Sequence, residues 1–197
     1  MGIIGVVAAL TLPNLNSSTG NKEKVVHLMK VYSNLNDALD RAQAVYGPIG
    51  TWIINDSSNT DKVKRIGGRL TEFLKVRKNC ESVSNHASCT GYASLSSEYY
   101  SFILADGAVV YFYSYNSFKN LSLSVGIDGP KQYTWEKGPF LFSIDLDTGI
   151  LTPGGQNYSN CLSYGNNGNC TAWVIDNGNM DYLKCLSKLS ATNTTCK

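Results

Sequence analysis

Charge is scarce in this 197-residue chain: 16% of residues are charged and the net charge is +2. The clustered basic face that nucleic-acid binding needs is therefore not expected. Histidine is nearly missing, with only His27 and His86, and there is no Cys-x-x-Cys, so a zinc site lacks its ligand spacing. No Gly-rich phosphate loop, Gly-x-Ser-x-Gly elbow or His-Glu-x-x-His occurs. The catalytic set is expected to be empty and the chain not to be an enzyme. Long apolar runs are lacking too. The run from Met1 to Leu15 is broken at Pro13, and residues 1–12 would cover about 18 Å as a helix. A spanning helix needs about 20 apolar residues. A basic n-region and a small-residue cleavage site are also absent from the run, so it does not read as a secretory signal.

What is present is an apolar start joined to a polar, Asn-, Ser-, Gly- and Tyr-rich remainder. Six cysteines stand at Cys80, Cys89, Cys161, Cys170, Cys185 and Cys196. An even count in loop-like surroundings implies disulfides in an exported protein. The economical pairing is Cys80–Cys89, Cys161–Cys170 and Cys185–Cys196, each closing a short loop. A swap among the last four is the competing arrangement. Asn-x-Ser/Thr triplets at Asn16, Asn55, Asn120, Asn157, Asn169 and Asn193 fit an Asn- and Ser-rich surface.

The clearest periodicity lies in residues 22–46. Val25, Leu28, Met29, Tyr32, Leu35, Leu39, Ala42, Val45 and Tyr46 recur at three and four residues and form one stripe. Gly47-Pro48 stops that helix. Asn14 to Asn21 is a poor helix former and is expected to fray or break it. Val63 to Val76 reads as a second helix. Its basic residues, Lys62, Lys64, Arg65, Arg69, Lys75, Arg77 and Lys78, read as a solvated face. Tyr99–Leu104 and Ala108–Tyr115 flank Asp106-Gly107 and predict a hairpin. Leu121–Ile127, Phe140–Leu146 and Ile150–Thr152 are further strands of an antiparallel meander, with one face on the helical stripe and the other left for solvent or neighbours. Gly154–Asn169 reads as a long loop, Thr171–Ile175 as a late strand and Met180–Leu189 as a short terminal helix.

The segment Gly2-Ile3-Ile4-Gly5-Val6-Val7-Ala8-Ala9-Leu10-Thr11-Leu12-Pro13-Asn14 resembles the later part of the N-terminal segment of type IV pilins and type II secretion pseudopilins. Cys170-Thr171-Ala172-Trp173-Val174-Ile175 and the stretch from Asn177 to Cys185 resemble the C-terminal signature of a bacterial pilin-like group. Val31 to Leu39 and Gly138 to Phe142 fit the same group more loosely; residues 47–98 match no named pattern. The resemblance implies an α+β fold, with an N-terminal helix packed on an antiparallel sheet and disulfide-closed loops. It divides the chain into an assembly helix and junction, residues 1–21, and a head, residues 22–197. Within the head lie a helix (22–46), a variable region (47–98), a β-meander (99–152) and a disulfide-rich end (153–197).

The function implied is that of a structural filament subunit, a pseudopilin or minor pilin. Ile3, Ile4, Val6, Val7, Leu10, Leu12 and Pro13 would serve assembly. The partners implied are other pilin subunits and an assembly platform. The location implied is the bacterial inner membrane before assembly, with the head in the periplasm or outside the cell. On this alignment the cleavage site, methylated residue and assembly glutamate of the family lie upstream of Met1 and are missing, so this copy is expected not to be processed or to polymerise by the family's route. Acidic loop residues in this group bind calcium, which makes Asp128, Asp145 and Asp147 candidate ligands. The residues by themselves favour plain turns at Asp128-Gly129 and around Asp145 to Asp147. The other class considered is a secreted, disulfide-stabilised adhesin or binding module outside any filament. Such a module would recognise its target with the Gly154–Asn169 loop or the aromatic hairpin.

Overall fold

A computed structural model describes residues 3–53, 58–81, 99–113, 119–131 and 138–196, with side chains from Thr19 onward. Helix α1 runs Ile3–Tyr46 as one 44-residue element. The break expected at Pro13 and the fraying expected from Asn14 to Asn21 do not occur. Proline fixes φ near the helical value and removes one hydrogen bond, and a helix this long absorbs one such defect. Its stripe is Val25, Leu28, Val31, Leu35, Ala38, Leu39 and Ala42, all buried. Met29, Tyr32 and Tyr46 pack against the core at the margins. Val45, placed on the stripe by its spacing, is instead 63% exposed. In that last turn Tyr46 takes the covered position, edge-on to Trp52 and Phe73.

After a 3-10 turn at Ile49–Ile53, helix α2 spans Asn59–Thr71 and buries Val63, Ile66, Gly67 and Leu70. Ser58 caps it, its hydroxyl accepting from the Asp61 backbone N–H at 3.1 Å. The helix therefore starts before Val63 and stops before Val76. Gly67 lies against Tyr100, where a Cβ would fall 2.1 Å from the ring. Glycine is what lets α2 close on the sheet there. The basic flank of α2 stays outside, and Arg69 stacks over Tyr46 at 4.5 Å and Trp52 at 5.3 Å.

Six antiparallel strands follow in the order β1-β2-β3-β4-β5-β6. They are β1 Val76–Glu81, β2 Tyr99–Leu104, β3 Val109–Tyr113, β4 Asn120–Gly126, β5 Phe140–Asp145 and β6 Leu151–Pro153. The predicted hairpin is present. Leu104 N–H donates to the Ala108 carbonyl at 2.8 Å, and Gly107 takes a φ of 92°. One face sends Tyr100, Phe102, Val110, Phe112, Leu121, Leu123, Phe140, Phe142 and Ile144 into the core beneath α1 and α2. The other face is not left to solvent across β1–β3. Cys80, Ile103, Val109 and Tyr111 form a second buried cluster flanked by Tyr99 and Tyr113. Tyr99, in tilted ring contact with Tyr111 and Tyr113, and the disulfide-bonded Cys80 cover that face.

The C-terminal region carries three short helices: α3 Ser159–Tyr164, α4 Thr171–Asn177 and α5 Tyr182–Cys185. The expected loop over Gly154–Asn169 thus contains α3. The expected strand at Thr171–Ile175 is helix α4. A short continuous apolar run fits either element by pattern; here Thr171 to Val174 are all buried within a helical turn. The region docks on β5 through specific bonds. Leu141 N–H donates to the Thr171 hydroxyl at 2.9 Å, and Asn167 Nδ2 donates to the Gly138 carbonyl at 3.0 Å.

Candidate functional site

The feature that organises the head is the attachment of α1 to the sheet. Register fixes its direction. Val109 faces Gly126 across β3–β4, so the Asp106 and Asp128 turns share one end of the sheet. Asn120 faces Asp145 across β4–β5, so the β5–β6 turn lies at the opposite end. Helix α1 meets the first end through Lys24 and His27 and the second through Gln43, whose amide fills the space a Cβ on Gly149 would need.

At the first end, Lys24 Nζ and Lys131 Nζ both donate to Asp128 Oδ2, at 2.9 and 2.7 Å. Partial burial pushes the Asp128 carboxyl up. The hydrogen bonds and charges of Lys131 and Lys24 outweigh it and hold the pKa below the ordinary carboxylate value. His27 Nε2 stands 3.4 Å from Asp106 Oδ1 without a well-formed hydrogen bond. Midway, the Tyr32 hydroxyl donates to the Leu151 carbonyl at 3.3 Å, and its ring stacks on Phe142 with centroids 5.5 Å apart.

At the second end, Asp145 is a turn lock. Its Oδ1 accepts from the Thr148 N–H, the Thr148 hydroxyl and the Asp147 N–H, at 2.8, 3.0 and 2.9 Å. These bonds, led by the Thr148 backbone N–H, lower its pKa. Asp147 is exposed.

Asp128 therefore does not come together with Asp145 and Asp147. Asn120 and Gly126 are the two ends of β4, so about 20 Å of strand separates the acidic loops. Asp128 is taken by two lysines and Asp145 by its own turn. Among the described residues no group of three or more His, Cys, Asp or Glu is placed to hold a metal ion. Lys24 was not legible as the partner of Asp128, because 104 residues separate them. Lys131, three residues on, carried the one local signal.

Cys161–Cys170 and Cys185–Cys196 are disulfides. Cys80 is disulfide-bonded as well; Cys89, the partner expected for it, lies outside the described residues. Cys161–Cys170 ties α3 to the start of α4 at full burial. Nearby, the Tyr182 hydroxyl donates to Asn167 Oδ1 at 2.7 Å, and burial raises the Tyr182 pKa. Ile3, Ile4, Val6, Val7, Leu10, Leu12 and Pro13 sit in the first turns of α1. Among the described residues no helix is long and apolar enough to cross a membrane.

The Asp128 contacts have a pH signature. The folded pKa lies below the unfolded value of about 3.9, so the unfolded chain takes up the proton first. The stabilisation is complete above about pH 4 and is lost as pH falls through the folded pKa. The groups are partly exposed, so the contribution is under about 1 kcal/mol. Asp128→Asn is expected to lower the urea midpoint slightly at pH 7, and the gap to the unmodified chain is expected to narrow as pH falls below about 4. A gap that does not narrow would refute this assignment.

The fold and contacts define a mixed helix-and-sheet, disulfide-bonded protein built on one long N-terminal helix. No protein-family profile, curated protein or solved structure matches the chain.

Proposed function

We propose that this chain is a structural subunit of a type IV pilin-like filament, a type II secretion pseudopilin or a minor pilin. The observation that carries this reading is α1. A single helix joins the apolar, pilin-resembling start to the stripe that anchors the head. The first described side chain to join the core is Val25. Residues 3–24 amount to about 33 Å of helix at about 1.5 Å per residue. That length of apolar-headed helix ahead of the anchored stripe suits bundling with like helices. The two stretches resembling the pilin-like C-terminal signature support the same reading, with Trp173 and two disulfides holding that end together. In this reading the partners are other pilin or pseudopilin subunits and an assembly platform. Work is done by a separate motor ATPase, and the head faces the periplasm or exterior.

The test is crosslinking in cells of the source bacterium. A photo-crosslinking residue at the Val7 or Leu10 position, introduced into the native gene so that anything encoded ahead of Met1 is kept, is expected to capture a second pilin-like subunit only where an assembly ATPase is active. Capture unchanged by loss of the ATPase, or none, would remove the filament reading and leave a free-standing secreted module.

A further inference from the structure

Two surfaces at opposite ends of the sheet complement one another. The first is a cleft of about 300 Å3 beside α1, at the β2–β3 turn end. Its floor is apolar, made of Phe73, Leu74 and Leu104, and Lys30 and Lys75 stand on its rim. Both lysines are exposed, and neither forms an ion pair among the described residues. The other charges lining the cleft, Asp37, Arg41 and Asp106, are already partnered. Arg41 pairs with Asp37 at 3.5 Å and lies over Phe73, and Asp106 faces His27. The cleft thus offers two cations without an ion-pair partner among the described residues, beside apolar side chains that share the cleft with the Arg41–Asp37 pair.

The second surface is the β5–β6 turn, at the opposite end. Ile150 is 60% exposed, and the Asp147 carboxylate has no ion-pair partner among the described residues. The turn that presents them is rigid. Asp145 bonds three of its donors, Gly149 N–H returns to the Asp145 carbonyl at 2.8 Å, and Gly149 packs on Gln43. A large apolar side chain and a lone acid held out on a locked turn are pre-organised for docking.

We infer that the Asp147–Ile150 turn of one copy docks in the Lys30–Lys75 cleft of the next. Ile150 meets the Phe73–Leu104 floor, and Asp147 lies between the two lysines. In copies that share one orientation, as bundled α1 helices would, a knob and a socket at opposite ends of the head make a heterologous contact that repeats rather than closing as a dimer. The biological setting rests on the filament reading; the contact itself belongs to the head.

The experiment is sedimentation velocity of the full chain over rising concentration, with non-ionic detergent to disperse the apolar start of α1. The unmodified chain is expected to grow past a dimer. Asp147→Lys, or Lys30→Glu with Lys75→Glu, is expected to weaken association about tenfold or more through like-charge opposition. Ile150→Ser is expected to weaken it about tenfold with no change of charge. All these residues are exposed or on a rim, and circular dichroism verifies that each variant is folded. A 1:1 mixture of the two charge variants is expected to regain growth past a dimer, because every knob again meets a socket of opposite sign. A monomeric unmodified chain, variants that associate normally, or a mixture that halts at a dimer each overturns the inference. Motor-dependent crosslinking at Val7 that persists in Asp147→Lys cells would keep the filament reading while the docking falls. Loss of that crosslinking in the unmodified chain would remove the filament reading without touching the solution result.

Discussion

Trp173→Ala is expected to lower the unfolding free energy by about 3–5 kcal/mol. The side chain is fully buried. Its ring stands edge-on to Tyr158 with centroids 5.3 Å apart, and its Nε1 donates to Asn179 Oδ1 at 3.1 Å. Truncation opens a cavity where α4 meets the core and removes one of the two hydrogen bonds to Asn179 Oδ1. Asn179 in turn bonds the Asn177 and Thr194 carbonyls and the Asp181 N–H, so the damage spreads to the link between α4, α5 and the chain end. Trp173→Phe keeps most of the volume but not the donor and is expected to cost about half as much. Urea unfolding of both variants gives the comparison. A loss under about 1.5 kcal/mol for the alanine variant would mean the surroundings collapse into the space, contrary to a tightly held α4.

The second large effect concerns the disulfides. Cys161–Cys170 and Cys185–Cys196 close rings of similar size, with separations of 9 and 11 residues. Restraint of the unfolded chain is therefore about equal for both, near 3 kcal/mol in the chain-entropy view. Their surroundings differ. Cys161 and Cys170 are fully buried, whereas Cys185 and Cys196 are half-exposed. The Cys161→Ala/Cys170→Ala pair is expected to lose about 3–5 kcal/mol, the restraint plus two small cavities. Cys185→Ala/Cys196→Ala is expected to lose about 2–3 kcal/mol. Equilibrium unfolding of each double variant under non-reducing conditions ranks them. The reverse ranking would show that the Cys185–Cys196 ring, through the Cys196 N–H bond to Asp181 at 2.9 Å, matters more than burial.

Much of the head was legible because its signals are local. The α1 stripe follows from spacing, the β2–β3 hairpin from Asp106-Gly107, and the last two disulfides from their nearness in sequence. The misses have physical causes. Strand β1, Val-Arg-Lys-Asn-Cys-Glu, is a polar edge strand with two irregularities in its pairing, so it shows no period-two pattern. Helix α4 is a short apolar run that alternation cannot separate from a strand. The covered outer face depends on tyrosines from different strands, a property of the assembled sheet. The candidate site was least legible. The acids picked out as ligands are fixed by partners the pattern does not reveal: Asp128 by a lysine 104 residues away and Asp145 by the turn it builds. That the β5–β6 turn and the cleft beside α1 lie at opposite ends of the sheet follows only once the register is known.

The strand order has a consequence for how the head is made. Among the described residues every strand pairs only with its neighbours in sequence, so none of these strands must thread between two earlier ones. Pairings between nearby segments form quickly relative to distant ones. A chain released from one end can lay down its meander strand by strand, each new edge templating the next. Only the final helices, with Trp173 and their two disulfides, must then come back to seal the sheet. Oxidation of Cys161 and Cys170 would mark the end of that sequence, and a pulse-labelled chain should acquire that bond after the sheet is protease-resistant.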